Sequence, residues 1–120
     1  MIIAVAGKGG SGKTTLAGLI IRYLLISGRT PILAVDADPN SNLAESIGVK
    51  APKTIGQVNQ EFLLGRINLP SGMPKQAWLE LKLNEAIGES KGVDLIVMGR
   101  PEGAGCYCSA NAVLREYLEK

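Results

Sequence analysis

The hydrophobic positions of the chain form three short, nearly continuous runs. These runs cover Ile2–Ala6, Pro31–Asp36 and Val93–Met98. Apolar and polar residues do not alternate within them, as they would in a strand with one face in water. Continuous apolar runs are typical of strands that are buried on both faces of a parallel sheet. The pattern therefore predicts three strands of such a sheet.

Between and after these runs, apolar residues recur at helical spacing. The segment Lys13–Ser27 has an apolar stripe that predicts one buried helix face, and Gly28 stands where a helix-ending glycine belongs. The residues of this stripe are Leu16, Leu19, Ile20, Tyr23 and Leu24. Three further helices are predicted over Thr54 to about Leu64, Pro74–Ser90 and Ser109–Lys120.

Side-chain caps and core positions support two of these later helices. Thr54 and Gln57 have the spacing of a capping box, in which each side chain bonds the backbone of the other residue. Trp78 and Leu81 lie on the Pro74–Ser90 helix, and we expect both to pack in the core. The order of strands and helices predicts an α/β fold with a mainly parallel sheet flanked by helices.

Composition excludes several kinds of function. The chain has 120 residues and no histidine, so it has no Ser-His-Asp triad, imidazole base or histidine metal ligand. Its 13 basic and 11 acidic residues nearly balance, and only 4% of residues are aromatic. A nucleic-acid partner is therefore not expected, since neither a basic patch nor a base-stacking platform is indicated.

The compartment can be predicted from the apolar segments and the cysteines. The longest apolar stretch, Leu16–Ile26, is interrupted by Arg22 and is far shorter than a membrane span of roughly 20 residues. The first residues lack the basic start of a signal peptide. Two cysteines are too few for a disulfide framework. We therefore expect a cytoplasmic protein with reduced thiols and no membrane partner.

A glycine-rich loop follows the first predicted strand and matches the phosphate-binding pattern G-x-x-x-x-G-K-[ST]. Glycines let the backbone curl so that N–H groups face a phosphate chain, and the helix that follows adds its N-terminal dipole. The predicted nucleotide-binding residues are Gly7, Lys8, Gly9, Gly10, Ser11, Gly12, Lys13, Thr14 and Thr15. A chance match in a glycine-rich turn is the alternative, and the strand before and helix after argue against it.

Within this loop the residue types suggest distinct roles. Lys13 is expected to reach the β- and γ-phosphates, and the Thr14 hydroxyl is expected to bind Mg²⁺. Thr15 is a candidate for the α-phosphate. The loop thus predicts a nucleoside triphosphate and Mg²⁺ as cofactors of a P-loop nucleotide-hydrolysing domain, without specifying the base of the nucleotide.

Two aspartates follow the second predicted strand in the pattern D-x-D-P-x-x-N, which begins at Asp36. Ligands of open α/β sheets bind at the carboxyl ends of strands, so these side chains should face the phosphate loop. Asp38 could orient and activate the attacking water, and Asp36 could lie near Mg²⁺ through its water shell. The alternative is a strand-end Asx turn with a helix cap, and one carboxylate has enough oxygens for both roles.

Both cysteines follow the third predicted strand, at Cys106 and Cys108. In an extended loop, residues two apart point the same way, so two thiolates converge there. Thiolates favour soft or borderline metals such as Zn²⁺ and Ni²⁺. Two ligands make an incomplete site, which a symmetric dimer completes with four sulfurs. Two buried small residues or a reversible redox pair remain alternatives.

The phosphate loop resembles a known class of nucleotide hydrolases. Lys8, directly after the first glycine, gives K-G-G-x-G-K-T-T, which is similar to the deviant Walker A motif of the MinD/ParA/nitrogenase iron protein class. The resemblance implies an ATP-sandwiched homodimer in which Lys8 contacts nucleotide in the opposite subunit. It also implies that Asp38 is the hydrolytic aspartate.

The cysteine segment makes the resemblance more specific. The stretch G-R-P-E-x-x-G-C-Y-C-x-x-N, beginning at Gly99, looks like the CooC family, the accessory ATPases that mature carbon monoxide dehydrogenase and its acetyl-CoA synthase relatives. The family implies a metallochaperone whose C-x-C pairs bind Ni²⁺ or Zn²⁺ in a dimer and whose client is such a nickel enzyme. A ParA- or MinD-like spatial-organising ATPase and an iron-protein-like redox ATPase carrying an Fe–S cluster are the other hypotheses.

The chain departs from the family in one respect. The third predicted strand has no aspartate at its end for a Walker B motif, because Asp94 lies near its start. The family's further apolar strand and D-x-E-A-G-type segment are also absent. We therefore expect residues 1–120 to be the N-terminal part of a single P-loop nucleotide-binding domain.

Overall fold

A computed structural model of the chain describes residues 1–10, 12–40, 42–63, 69–99 and 115–119. Residues 115–118 are helical. The other elements are, in chain order, α1 (Lys13–Ile26), β1 (Ile32–Asp36), α2 (Leu43–Ile47), α3 (Ile55–Leu63), α4 (Lys75–Ala86), β2 (Gly88–Glu89) and β3 (Val93–Val97).

The described sheet has three strands in the order β1-β3-β2. β1 and β3 are parallel, with a register that runs from Ile32 opposite Val93 to Asp36 opposite Val97. β2 pairs with β3 in the antiparallel direction. The predicted α/β class with a mainly parallel sheet is confirmed. The β2 strand is an addition, and it lies in the stretch for which the sequence predicted the end of a helix.

Two hydrophobic layers cover the two faces of β3. One layer joins β3 to α3 and α4, and it includes Trp78 and Ile96. The other joins β3 and β1 to α1 and α2, and it includes Ile21 and Leu95. Leu95 and Ile96 are 0% and 1% exposed. Because successive side chains of a strand point to opposite faces, β3 belongs to both layers.

The prediction of a strand at Ile2–Ala6 is wrong for this structure. Residues 1–8 have no regular secondary structure, and Ile2 is 96% exposed. A strand is stable only when a neighbour pairs with its backbone groups. Among the described residues, β3 is the only partner of β1, so no described ladder includes the N-terminal segment.

The predicted helix after the phosphate loop is present as α1, and Gly28 follows it with φ of 73°. Its predicted buried face is wrong. The predicted stripe residues Leu16, Leu19 and Tyr23 are more than half exposed, whereas Ile21 is buried.

The reason for this error is the composition of the helix. Apolar residues occur almost all round α1, so periodicity alone does not predict which side is buried. Packing against α2 determines the buried side. Gly18 lies so close to Ser46 of α2 that an added Cβ would overlap the serine side chain.

The later helices agree better with the sequence. α3 and α4 lie within the predicted ranges, and Trp78 is buried as expected. Leu81 is 44% exposed, so the expectation that it packs in the core is wrong. Of the predicted Ser109–Lys120 helix, the first residues lie outside the described part of the chain. None of the described helices is both long enough and apolar enough to cross a membrane.

Candidate nucleotide site

The phosphate loop joins the exposed N-terminal segment to α1. Gly10 and Gly12 have φ of 79° and 85°, a left-handed conformation that residues with a Cβ rarely adopt. A Cβ at either position would meet nothing within 4 Å, so the loop borders open space. The sequence requires glycine here for backbone conformation. Ser11 lies outside the described residues.

The N-terminus of α1 has backbone donors that the helix itself does not pair. The first backbone bond of the helix runs from the Leu16 N–H to the Gly12 carbonyl, over 2.9 Å. The N–H groups of Lys13, Thr14 and Thr15 precede it and therefore have no partner within the helix. The first turn contains no acidic residue. Free N–H groups and the helix dipole together favour an anion such as phosphate.

The structure brings the phosphate loop and the second predicted motif together. Lys13 Nζ lies 3.4 Å from Asp38 Oδ2, although the two residues are 25 positions apart. Asp38 Oδ1 accepts the Asn40 N–H at 2.9 Å. The Asn40 N–H is the main cause that lowers the pKa of Asp38 below its ordinary 3.8; Lys13 lowers it further, and desolvation partly opposes both. Asp38 is therefore ionised at neutral pH.

Asp36 holds the turn that carries Asp38. Its Oδ1 accepts the Asp38 N–H at 3.2 Å, and its Oδ2 accepts the N–H of Leu43, the first residue of α2, at 3.1 Å. The side chain is buried. The Asx-turn and helix-cap arrangement that the sequence left open is therefore present. A role for Asp36 near Mg²⁺ remains a prediction.

Asn42 lies in the site but was not predicted to be a site residue. The Thr14 hydroxyl donates to Asn42 Oδ1 at 2.7 Å, which links the first turn of α1 to the residue before α2. Asn42 is the last residue of D-x-D-P-x-x-N, so the motif contained the signal.

Comparison with known proteins identifies the domain. The family model described as the CobQ/CobB/MinD/ParA nucleotide binding domain matches residues 2–115. The chain belongs to this family. The match confirms the nucleotide-binding P-loop class that the glycine-rich loop predicted. No solved structure matches the chain.

The chain is also similar to several curated proteins. It is 51% identical to an uncharacterized ATP-binding protein of Methanocaldococcus jannaschii, over 99% of the chain and 47% of that protein. It is 33% identical to the carbon monoxide dehydrogenase accessory protein CooC of Rhodospirillum rubrum, over 98% of the chain and 48% of that protein. The chain thus spans about half the length of these relatives.

The MinD/ParA-type site has oxygen donors that suit Mg²⁺. The Thr14 hydroxyl and the carboxylates of Asp36 and Asp38 are hard ligands, and Mg²⁺ is commonly bound by one or two carboxylates together with substrate phosphates. Within the described ranges, no group of three or more acidic or cysteine side chains could hold a metal ion. These residues therefore fit a Mg²⁺ ion whose other ligands are phosphate oxygens and water.

The cysteine segment begins next to this site. Cys106 and Cys108 lie outside the described residues. β3, which precedes them, ends beside β1, where the Met98 N–H donates to the Asp36 carbonyl at 2.8 Å. The chain therefore enters the cysteine segment from the same edge of the sheet that carries Asp36.

Proposed function

We propose that the chain is the nucleotide-binding part of an ATP-dependent metallochaperone. ATP and Mg²⁺ bind at the phosphate loop, and two copies close on the nucleotide. Cys106 and Cys108 of both copies then bind Ni²⁺ or Zn²⁺ as cargo. Hydrolysis opens the dimer and releases the metal to a nickel enzyme of the carbon monoxide dehydrogenase or acetyl-CoA synthase type. We place this activity in the cytoplasm, where thiols are reduced.

One observation carries the proposal. The backbone bond between Met98 and Asp36 places the start of the cysteine segment against the strand end that carries the aspartates. The strand end that carries Asp36 and the last described residues before the cysteine segment are therefore joined by a backbone bond. This bond supports our proposal that nucleotide hydrolysis at Asp38 is coupled to metal binding by the cysteines.

The residues of the loop have separable roles in this proposal. The α1 N-terminus binds the phosphates, and Lys13 leaves Asp38 to neutralise the β- and γ-phosphates. Asp38, which is already ionised, is released from Lys13, orients the attacking water and accepts its proton. Mg²⁺, held by Thr14 and through water by Asp36, supplies charge neutralisation on the phosphates. Lys8 contacts the nucleotide of the second copy.

A relative supports the choice of cargo and client. The carbon monoxide dehydrogenase accessory protein is 33% identical to the chain, over 98% of the chain and 48% of the accessory protein. The C-x-C pair is also the only pair of cysteines in the sequence. Two such pairs supply the four sulfurs of a tetrahedral site, which makes a dimer necessary.

The experiment measures bound metal and bound nucleotide together. Purified protein is dialysed against Ni²⁺ or Zn²⁺ with and without ATP and Mg²⁺, and metal and nucleotide are counted per chain. We expect about one metal ion per two chains with ATP, because four sulfurs complete one site. Cys106→Ser/Cys108→Ser should lose the metal and keep ATP. Lys13→Ala should lose ATP and, with it, the ATP-dependent metal.

Other outcomes decide against the proposal. If the double serine variant binds as much metal as the parent chain, the metal part is wrong. Iron-loaded, brown protein from anaerobic preparation would favour the redox alternative. ATP hydrolysis that DNA or membranes stimulate, with Mg²⁺ present but without Ni²⁺ or Zn²⁺, would favour the spatial-organising alternative. Failure of the folded parent chain to bind ATP contradicts the nucleotide part.

A further inference from the structure

The cysteine segment leaves β3 through Met98 and Gly99, and Met98 is held on both sides. The Met98 N–H donates to the Asp36 carbonyl at 2.8 Å, and the Met98 carbonyl accepts the Gly56 N–H at 3.0 Å. The Met98 side chain is 3% exposed and belongs to the same buried cluster as Ile55. The chain therefore leaves the sheet from a residue whose backbone and side chain are both fixed.

Gly99 lies against the side chain of Thr54. Its φ of 73° is left-handed, and a Cβ added to it would lie 2.6 Å from Thr54 Cβ and 2.7 Å from both Thr54 Cγ2 and Oγ1. Carbon atoms in ordinary contact are about 3.5–4.0 Å apart. Gly72 is also left-handed, with φ of 83°, but a Cβ there would meet nothing within 4 Å. Glycine is therefore required at residue 99 both for backbone conformation and for space, and at residue 72 for conformation alone.

Three hydrogen bonds hold Thr54 in this place. Thr54 Oγ1 accepts the Gln57 N–H at 3.1 Å, and the Thr54 N–H donates to Gln57 Oε1 at 2.9 Å. The Thr54 carbonyl accepts the Val58 N–H at 3.2 Å. A rotation of the Thr54 side chain away from Gly99 would break the bond to Oγ1. The capping box of α3 therefore keeps this side chain against the start of the cysteine segment.

We propose that Thr54 and Gly99 are positioning residues for the metal cargo, because their contact fixes the direction in which the cysteine segment leaves the sheet. This inference rests on the proposed function, which assigns the metal to Cys106 and Cys108. Two thiolate pairs from two copies must meet in a defined geometry to make a tetrahedral site. Residues that do not touch a metal but orient its ligands contribute strongly to metal affinity.

The first measurement needs no metal. In Cys108→Ser, a thiol-reactive fluorescent acceptor is attached to Cys106, and energy transfer from Trp78, the single tryptophan, is measured. Trp78 is a fixed donor, because it is buried in the cluster that contains Met98. Gly99→Ala should change the transfer efficiency, since its Cβ cannot fit beside Thr54. Gly72→Ala carries the same conformational penalty without such a contact and should keep the parent efficiency.

The second measurement compares metal binding with nucleotide binding in the unlabelled chains. The Kd for Ni²⁺ is measured with saturating ATP and Mg²⁺, and the Kd for ATP is measured without Ni²⁺. Gly99→Ala should raise the Kd for Ni²⁺ roughly tenfold or more, as is typical for the loss of a residue that orients metal ligands. It should leave the Kd for ATP unchanged. Gly72→Ala should keep both values.

Variants of Thr54 test the same contact from its other side, and they decide if Gly99→Ala does not fold. Thr54→Ala removes Oγ1, Cγ2 and the side-chain acceptor of the cap. It should change the transfer efficiency and raise the Kd for Ni²⁺. Thr54→Ser keeps Cβ and Oγ1, and it should match the parent chain in both measurements.

Several results would overturn this assignment. One is a folded Gly99→Ala or Thr54→Ala chain with the transfer efficiency or the Ni²⁺ affinity of the parent. Another is an equal change in Gly72→Ala, which would assign the effect to backbone strain alone. A parent chain that binds no Ni²⁺ would instead contradict the proposed function. The transfer efficiencies would then still decide whether the contact directs the cysteine segment.

Discussion

Asp38 is held in its ionised form by two neighbours of different kinds. The Asn40 N–H lowers the pKa of Asp38 most, and Lys13 lowers it further. Because folding lowers this pKa, ionised Asp38 stabilises the folded state at neutral pH. That contribution is lost as pH falls below the ordinary value of 3.8 and through the lowered pKa.

Replacement of Lys13 tests whether the Asn40 N–H lowers the pKa of Asp38 more than Lys13 does. In Lys13→Met the pKa of Asp38 should rise but stay below 3.8, because the stronger contribution of the Asn40 N–H remains. The measurement is an NMR titration of the side-chain carboxyl carbon. Lys53→Met, which removes the partner of Glu61 instead, is the control and should leave Asp38 unchanged. An unchanged pKa in Lys13→Met would mean that the 3.4 Å contact contributes nothing.

The motifs predicted which side chains lie close together better than they predicted the hydrogen bonds that each one makes. Phosphate-loop and aspartate patterns brought Lys13 and Asp38 into the prediction, and the structure places them in contact. The two backbone bonds of the Asp36 carboxylate and the Thr14–Asn42 bond depend on the path of the turn between β1 and α2. No local spacing rule specifies that path. Short side chains at strand ends bind whichever N–H groups the turn presents.

The start of α3 is the element for which sequence and structure agree most closely. The Thr54 N–H donates to Gln57 Oε1 at 2.9 Å, and the Gln57 N–H donates to Thr54 Oγ1 at 3.1 Å. The capping box is therefore confirmed. The helix that it starts buries Ile55 and Val58 in the layer below β3. Local hydrogen bonding and burial favour the same helix start.

Removal of the cap should cost measurable stability. Thr54→Ala leaves the Gln57 N–H without its side-chain acceptor, and we expect a loss of about 1 kcal/mol in the free energy of unfolding. Thr54→Ser keeps the hydroxyl and should lose clearly less. Urea unfolding followed by circular dichroism measures both changes. Equal losses in the two variants would assign the effect to the threonine methyl group and not to the cap.

Elements that depend on distant partners were predicted less well. Residues 2–6 have the composition of a buried strand, but the described sheet provides no edge that pairs with them. The apolar stripe of α1 was also predicted to be buried, yet Leu16, Leu19 and Tyr23 are more than half exposed. Both errors have one physical cause, because an apolar pattern predicts burial but does not specify the partner against which a residue packs.

At the scale of the whole molecule, β3 connects the two hydrophobic layers. The α/β class followed from the alternation of apolar runs and helical stripes. The sequence pattern did not predict that β3 contributes side chains to both layers, because a continuous apolar run has no periodicity that assigns side chains to faces. Leu95 packs in the layer of α1 and α2, and Ile96 packs in the layer of α3 and α4. The two layers should therefore unfold together.

A substitution in one layer should then be detected by a probe in the other. Leu95→Ala should cost about 2–5 kcal/mol by loss of buried contacts and creation of a cavity. Trp78, the single tryptophan, lies in the opposite layer. Its fluorescence transition in urea should shift to the same midpoint as the circular dichroism transition. Leu81→Ala, at an exposed position of α4, should change stability by less than about 0.5 kcal/mol. A Trp78 transition that stays at the parent midpoint while the dichroism shifts would show that the layers unfold independently, and that β3 does not couple them.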